Sequence, residues 1–332
     1  MKEAMFYRKK NNKIECFLCP RNCLIANNLT GFCMVRKNID GKLYSLNYGR
    51  IVSAAVDPIE KKPFYHFAPG SRSFSIAGAG CNLSCDFCCN FEISREWTFL
   101  GEEKTPEEVV NMAKKLADGI SYTYTEPTVW IEFVLDVAKL AKRKKLYNTM
   151  VTNGYTSIEA VKELSKYTDA VVIDLKNSGN TELYSKLSHV PYAEKIFDAI
   201  LEYARKGVWV EITNLIITRY GENENDVRNF CKWIYENLGE LTPVHFLRYF
   251  PSYKLNLPPT PVEFLEKCVR IAREEGLKYV YLGNVPGNYE NTYCHECGEL
   301  LIERKGFYVS RINLKNSFCP SCGAKIPVKE FL

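Results

Sequence analysis

The sequence predicts an α/β fold: a parallel sheet, closed or partly closed into a (β/α) barrel, with a small cysteine-rich module at each end. Three observations predict it. From Phe74 onward, strand-like runs alternate with amphipathic helical runs at the spacing of βα units. Three of the helical runs open on Ser/Thr-x-x-Glu, at Thr105 to Glu108, Thr156 to Glu159 and Thr260 to Glu263, two of them with proline at the first helical position. Twelve of the 14 cysteines are clustered at the two ends and behind the first strand.

Taken in order, strands are expected over 74–79, 120–124, 147–151, 170–174, 208–217, 244–248 and 279–282. Helices are expected over 106–117, 129–142, 158–165, 191–205, 224–236 and 261–274. Before this array, residues 41–56 alternate as a β-hairpin around Asp40-Gly41, and residues 57–73 read as a proline-punctuated connector carrying His66. His66 reads as a packed loop histidine, with ligand or acid/base as the other role open to it. The expected units are a cysteine-rich module over 1–56, the barrel over 57–286 and a second metal module over 287–332.

At 332 residues the chain is long enough for one large domain with appendages. A net charge of +5 does not by itself imply nucleic acid. No apolar run approaches the roughly 18–20 residues of a membrane span. Residues 1–13 are polar and basic without an apolar stretch, so no signal peptide is expected and the cytoplasm is the expected location. There, C-x2-C clusters read as metal sites and not as disulfides.

Cys81, Cys85 and Cys88 form C-x3-C-x2-C after the first barrel strand, with Phe87 just before the last cysteine. Three thiolates without a fourth suit a [4Fe-4S] cluster with one iron left open. A closed zinc site needs four ligands, which only Cys89 would complete. Cys16, Cys19, Cys23 and Cys33 can hold a second metal or cluster: zinc as a staple, or iron–sulfur as an electron relay. Cys294, Cys297, Cys319 and Cys322 form two knuckles, each followed by glycine and joined by a β-rich insert over 300–312, a zinc-ribbon or rubredoxin-like pattern for zinc or iron. Arg304, Lys305, Arg311 and Lys315 are too few to favour nucleic acid. Cys231 and Cys268 sit in helical patterns and read as buried apolar residues.

In parallel barrels the chemistry lies at the carboxyl ends of the strands. There the sequence offers the cysteine loop, Glu126, Asn153, Asp174, Lys176 and Asn214, then His245, Arg248 and Tyr253 as a pocket for an anionic substrate group.

The C-x3-C-x2-C motif resembles the signature of the radical S-adenosylmethionine (SAM) enzymes, over about residues 70–285. With Cys16-Phe-Leu-Cys-Pro20, Cys23, Gly31-Phe-Cys33, the run from Ala55 to Lys61, Tyr122 to Pro127, His245 to Pro251 and the closing knuckles, the chain is similar to the radical SAM enzymes of the AmmeMemoRadiSam system, themselves similar to pyruvate formate-lyase activating enzymes. One departure is Cys89-Asn90, where such enzymes carry Gln or His before Asn. The resemblance implies that Cys81, Cys85 and Cys88 hold the cluster and that its open iron chelates SAM. It implies that Phe87 packs near the adenine and Glu126 accepts from the SAM ammonium. Asn153, Asp174, Lys176 and Asn214 are further candidates for ribose and carboxylate contacts, and Asn284 for approach to the adenine. It implies reductive cleavage to methionine and a 5′-deoxyadenosyl radical that abstracts hydrogen from a partner protein or a substrate presented by one. An electron donor such as ferredoxin or flavodoxin, and partner proteins of the AmmeMemoRadiSam system, are expected with it. Competing readings are attack on a small metabolite, RNA modification through the ribbon, and a plain electron-transfer protein.

Overall fold

The computed structural model describes residues 1–96 and 101–331. At its centre is an eight-stranded sheet with the strands side by side in chain order: β1 (Ser53–Pro58), β2 (Arg72–Ala77), β3 (Gly119–Tyr122), β4 (Tyr147–Thr152), β5 (Ala170–Lys176), β6 (Trp209–Ile216), β7 (Val244–Arg248) and β8 (Val280–Gly283). β1 is antiparallel to β2, and every later pair is parallel. The outer strands β1 and β8 do not pair, so the barrel is partial. All seven expected parallel strands are present. Their apolar, β-branched runs are buried on both faces, as Val171, Val172 and Ile173 of β5 illustrate.

The crossovers are α1 (Pro106–Leu116), α2 (Ile131–Arg143), α3 (Ile158–Leu164), α4 (Thr181–Ser188), α5 (Lys195–Arg205), α6 (Glu224–Leu238) and α7 (Val262–Glu274). The expected capping box forms at α1, where Thr105 Oγ1 accepts from Glu108 N and the Glu108 carboxylate accepts from Thr105 N. The other two fail as boxes. Ser157, not Thr156, caps α3. Thr260 is turned into the core, donating to Ile216 O at 2.6 Å and accepting from Tyr249 N. Cys231 and Cys268 are buried on α6 and α7, as expected.

Two elements depart from the sequence reading. α4 was not expected. β1 falls across the expected boundary at residues 56 and 57, so the main sheet begins within the stretch read as the N-terminal module. The hairpin around Asp40-Gly41 does form, from Arg36–Ile39 and Lys42–Ser45.

The N-terminal region holds two small antiparallel sheets. One joins Tyr7–Lys10, Lys13–Cys16 and Cys23–Ile25; the other joins Lys2–Glu3, Lys42–Ser45 and Arg36–Ile39. They lie on α2 and on the loops at the carboxyl ends of β2 and β4. Buried Arg36 donates to Glu132 of α2 at 3.0 Å, Trp130 Nε1 donates to Asn47 O, Arg21 donates to Asn82 O, and Ser157 N donates to Leu18 O.

The C-terminal module carries the expected β-rich insert as Leu300–Lys305 and Tyr308–Ile312, and Thr292–Tyr293, just before Cys294, adds a third strand to the sheet. It docks on the connector between β1 and β2. Buried Arg304 donates to Tyr65 O, Lys329 N donates to His66 O, and Ala68 N donates to Lys329 O. That contact lies at the amino end of the sheet. There Glu211, early in β6, accepts from the backbone N–H groups of Tyr65, His66 and Phe67 and bonds the His245 ring at 3.0 Å. No helix among the described residues is long and apolar enough to cross a membrane.

Candidate functional site

At the carboxyl ends of the strands lies a cavity of about 360 Å³. Cys81, Cys85, Cys88 and Cys89 line one side of it, on the loop after β2. Glu126 after β3, Asn153 after β4, Asp174 and Lys176 at the end of β5, Asn284 after β8 and Phe87 complete much of its wall. The fold therefore gathers most of the expected site residues in one place.

The cysteine loop is held from several directions. Leu83 N donates to Cys81 Sγ at 3.3 Å, Cys85 Sγ donates to Ser188 Oγ at 3.3 Å, and Cys88 Sγ and Ser94 Oγ are 3.4 Å apart. Asn82 is buried, and its side-chain oxygen accepts from Asn153 Nδ2, which also points at Cys81 Sγ from 3.7 Å. From outside, Ser252 Oγ donates to Cys88 O and Lys254 N to Asp86 O. Burial pushes the Cys85 thiol up to about 11 and the Cys81 thiol well above its ordinary value. Such thiols ionise when a metal displaces the proton. Cys81, Cys85 and Cys88 do not form a group within 4.8 Å of one another, a reach that the C-terminal cysteines do satisfy. Thiolates on the outside of a [4Fe-4S] cluster stand roughly 6 Å apart, so the donor set fits a cluster better than a single ion.

Glu126 is buried, and three donors already hold its carboxylate. Oε1 accepts from Thr128 N at 2.9 Å and Thr152 Oγ1 at 2.7 Å, and Oε2 accepts from Asn153 N at 2.9 Å. It ties the end of β4 to its own loop and leaves lone-pair capacity for about one further donor. Burial raises its pKa despite those bonds. Asp174 pairs with Lys176 and accepts from Thr213 Oγ1 at 2.8 Å. Burial lowers the Lys176 pKa, but Asp174 and Cys85 more than offset it, so Lys176 stays charged. Phe87 packs with Leu187, Ile217 and Tyr249 while facing the cavity.

Four expected residues are not brought to this site. Asn214 is buried beside it, accepting from Ser178 N and donating to Ser178 Oγ. His245 is the second residue of β7, so it falls at the amino end of the sheet, buried against Glu211. Arg248 donates to Thr260 O and Tyr253 stacks on Phe91 at 4.5 Å; neither lines the cavity. The anion pocket assigned to His245, Arg248 and Tyr253 does not form. His66 is a packed histidine, 2.6 Å from Tyr281 OH and edge-on to Tyr279.

The sequence reading missed Lys62. It lines the cavity, bonds Asp57 at 2.6 Å and lies 4.1 Å from the centre of the Tyr124 ring, whose hydroxyl also donates to Asp57. Burial pulls Lys62 down to about 8 against the pull of Asp57. Burial opposes ionisation of Asp57, yet Lys61, Lys62 and Tyr124 together hold its carboxyl well below the usual range. The signal was available in Asp57-Pro-Ile-Glu-Lys-Lys62, a charged run inside a connector.

The C-terminal cysteines stand within 4.8 Å of one another, with Cys294 Sγ 3.6 Å from Cys322 and Cys297 Sγ 3.7 Å from Cys319. A zinc–sulfur bond of about 2.3 Å gives a tetrahedral edge of about 3.8 Å, so this set is able to chelate a single ion. Gly298 and Gly323 close the two knuckles in the left-handed region, each donating its N–H to the first cysteine carbonyl.

A partial parallel barrel with three cysteines in the loop after its first parallel strand defines a radical SAM enzyme. Residues 75–234 match the Radical SAM superfamily. The chain is 46% identical to an uncharacterised protein of Methanocaldococcus jannaschii over 99% of each chain. It is 26% identical to the pyruvate formate-lyase-activating enzyme of Clostridium pasteurianum over 63% of this chain and 91% of that one. Its fold is similar to the crystal structure of Streptococcus suis SuiB bound to S-adenosylmethionine, with a TM-score of 0.50 at 15% identity, over 62% of this chain and 48% of that one. The chain belongs to the radical SAM superfamily and is related to pyruvate formate-lyase-activating enzymes.

Proposed function

We propose that the protein is an activase-like radical SAM enzyme acting on a partner protein or on a substrate that a partner presents, within an AmmeMemoRadiSam-type system. The observation that carries this reading is the cavity at the carboxyl ends of the strands, with Cys81, Cys85 and Cys88 on one wall and Glu126, Asn153, Asp174 and Lys176 on the others. The three cysteines would hold a [4Fe-4S] cluster, which when bound supplies the electron that splits SAM into methionine and a hydrogen-abstracting 5′-deoxyadenosyl radical. The chain's own task is to bind, orient and keep water out. Phe87 offers an apolar face to the adenine. Asn153 braces the Cys81 loop and borders the cavity, while the Asp174–Lys176 pair offers both signs of charge to the ribose and carboxylate. Glu126 has room for one donor, the SAM ammonium, through a charge-assisted hydrogen bond.

The size of the cavity supports a partner-presented substrate. A volume of about 360 Å³ is near the lower end of the range for small-molecule sites, and one cofactor of SAM's size takes up most of it. The substrate then meets the site at its mouth, where a reduced ferredoxin or flavodoxin would also approach the cluster loop. RNA modification is disfavoured, because the ribbon that would carry the RNA docks at the amino end of the sheet.

Anaerobic reconstitution with iron and sulfide, followed by SAM and dithionite, tests the reading. 5′-Deoxyadenosine should form, and Cys85→Ala should abolish both the SAM-responsive cluster signal and the product. A Cys85→Ala protein that still cleaves SAM would sink it. Product formation that no partner fraction raises above the uncoupled rate would remove the activase part.

A further inference from the structure

We propose that Cys16, Cys19, Cys23 and Cys33 hold a second, fully ligated [4Fe-4S] cluster and not a zinc ion. The proposal deepens the radical SAM reading, but it stands on separate residues. All four cysteines line a single small cavity, together with Arg36 and Asn82. Cys16 and Cys23 face each other across paired strands, and Cys33 arrives from the loop before the hairpin. The set is complete and convergent, so the question is which group it encloses.

Charge does not separate the two candidates. Four thiolates around zinc, or around an oxidised cluster, carry the same net dianionic charge. Spacing does separate them. A single tetrahedral ion draws its thiolates to about 3.8 Å from one another, whereas a cubane holds them roughly 6 Å apart. Among the described residues, the C-terminal cysteines are the group of donors that all fall within 4.8 Å. The N-terminal four surround their cavity without closing to that distance. Within one chain, then, the C-terminal four close to single-ion spacing and the N-terminal four do not, which favours the wider group at the N-terminal site.

A second observation points to a ligand in the same cavity. Arg36 is 1% exposed. One guanidinium nitrogen donates to Glu132 and another to Met5 O, but Nε has no acceptor and is buried. Arg36 lines the cysteine cavity and approaches Cys16. An orphaned buried N–H costs about 1–3 kcal/mol unless something accepts from it. A cluster offers inorganic sulfides as well as thiolates as acceptors, and such hydrogen bonds are among the factors that set its potential.

The position is also informative. Asn82 lines this cavity, is the chain neighbour of Cys81, and bonds the Asn153 side chain that points at Cys81 Sγ. Arg95 donates to both Phe32 O and Cys81 O. The two cysteine sites therefore share a wall. With all four irons ligated by protein, the second group has no open iron for a substrate, which leaves electron transfer as its chemistry.

Metal counting on the full-length protein tests this. Wild type is reconstituted anaerobically with iron, sulfide and zinc, beside the triple variant Cys81→Ala/Cys85→Ala/Cys88→Ala. The expected result is about eight irons and one zinc in the wild type, and about four irons and one zinc in the triple variant. The reduced triple variant should give a paramagnetic signal that SAM does not change. Adding Cys16→Ser and Cys19→Ser should remove the remaining iron and leave the zinc. About four irons and two zincs in the wild type, or an iron-free triple variant, would overturn the proposal. In the triple background, Arg36→Lys keeps the charge and removes the Nε–H. It should shift the reduction midpoint downward, and an unchanged midpoint would remove the Arg36 contact. The radical SAM reading fails separately: a wild type with both clusters that forms no 5′-deoxyadenosine refutes that reading and leaves this one standing.

Discussion

The two terminal cysteine modules look alike in sequence and differ in three dimensions. Each offers four cysteines beginning with C-x2-C. Each is pinned to the barrel by a buried arginine facing a buried glutamate, Arg36 with Glu132 at one end and Arg304 with Glu60 at the other. The C-terminal thiols close to within reach of one ion, and the N-terminal thiols do not. The backbone explains the difference. Two matching knuckles, each closed by a left-handed glycine, bring the C-terminal sulfurs together. The N-terminal set has one knuckle, then Cys23 on a neighbouring strand and Cys33 on a separate loop. Cysteine count therefore sets the capacity to bind metal, and the turns between cysteines set how wide the site is. Location differs as well: the N-terminal set shares a wall with the Cys81 loop, while the C-terminal module caps the amino end of the sheet.

The largest effect should come from breaking the C-terminal module. An ion held there would organise a segment that places Arg304 under the barrel, donating to Glu290 O, Thr292 Oγ1 and Tyr65 O. Replacing Cys294 and Cys319 by serine should release one zinc per chain and lower stability by several kcal/mol, at least ~3, because Glu60 is left buried without its partner. Urea unfolding with metal analysis reads both quantities. Iron content in the folded protein should not change. A loss of iron would mean that the two ends are not independent.

A smaller effect follows from pH at the same end. His66 is fully buried, held by Pro327 O and Tyr281 OH, and burial lowers its pKa to about 4. The unfolded chain has the ordinary value near 6.5. Between those values the unfolded state binds more protons, so stability rises with pH across the window and falls as pH drops from 6.5 towards 4. Moving from pH 7 to pH 5 should cost about 2 kcal/mol through this residue. His66→Gln, compared with wild type by urea unfolding at both values, should remove most of that dependence. An unchanged dependence would assign the acid sensitivity elsewhere.

Much of the barrel was legible because its signals are local and repeated. Apolar β-branched runs marked all seven parallel strands, and Thr105 with Glu108 capped its helix as read. β1 was lost because Ser53 to Pro58 is short, alternates like a hairpin arm and takes its partner from residues after the connector. The cavity wall was legible where strand ends carry polar residues, as at Glu126, Asn153, Asp174 and Lys176. It failed at His245, although the expected strand 244–248 already made His245 its second residue, near the amino end and away from a carboxyl-end site. Lys62 was missed for a different reason: it is buried in the connector and reaches the cavity wall through contacts with Asp57 and the Tyr124 ring that only the folded chain brings together. The difference in cysteine spacing was not legible at all, since it depends on strand pairing and turn geometry.

The most local effect concerns the packing of the N-terminal module on the cluster loop. Gly80 precedes Cys81 and has φ +97°, and a Cβ there would stand 2.7 Å from Val35 Cγ1 and 3.0 Å from Cys33 O. Gly298, in the C-terminal knuckle, has φ +75° with nothing within 4 Å of the same position. Gly298→Ala should cost only the left-handed backbone penalty, about 1 kcal/mol. Gly80→Ala adds a clash to that penalty and should cost ~2–3 kcal/mol. Because the clash falls on the strap carrying Cys33, hydrogen exchange at residues 31–36 should quicken in Gly80→Ala and not in Gly298→Ala. Equal costs for the two substitutions, with no change in exchange at 31–36, would mean that the N-terminal module rests on the cluster loop without bracing it.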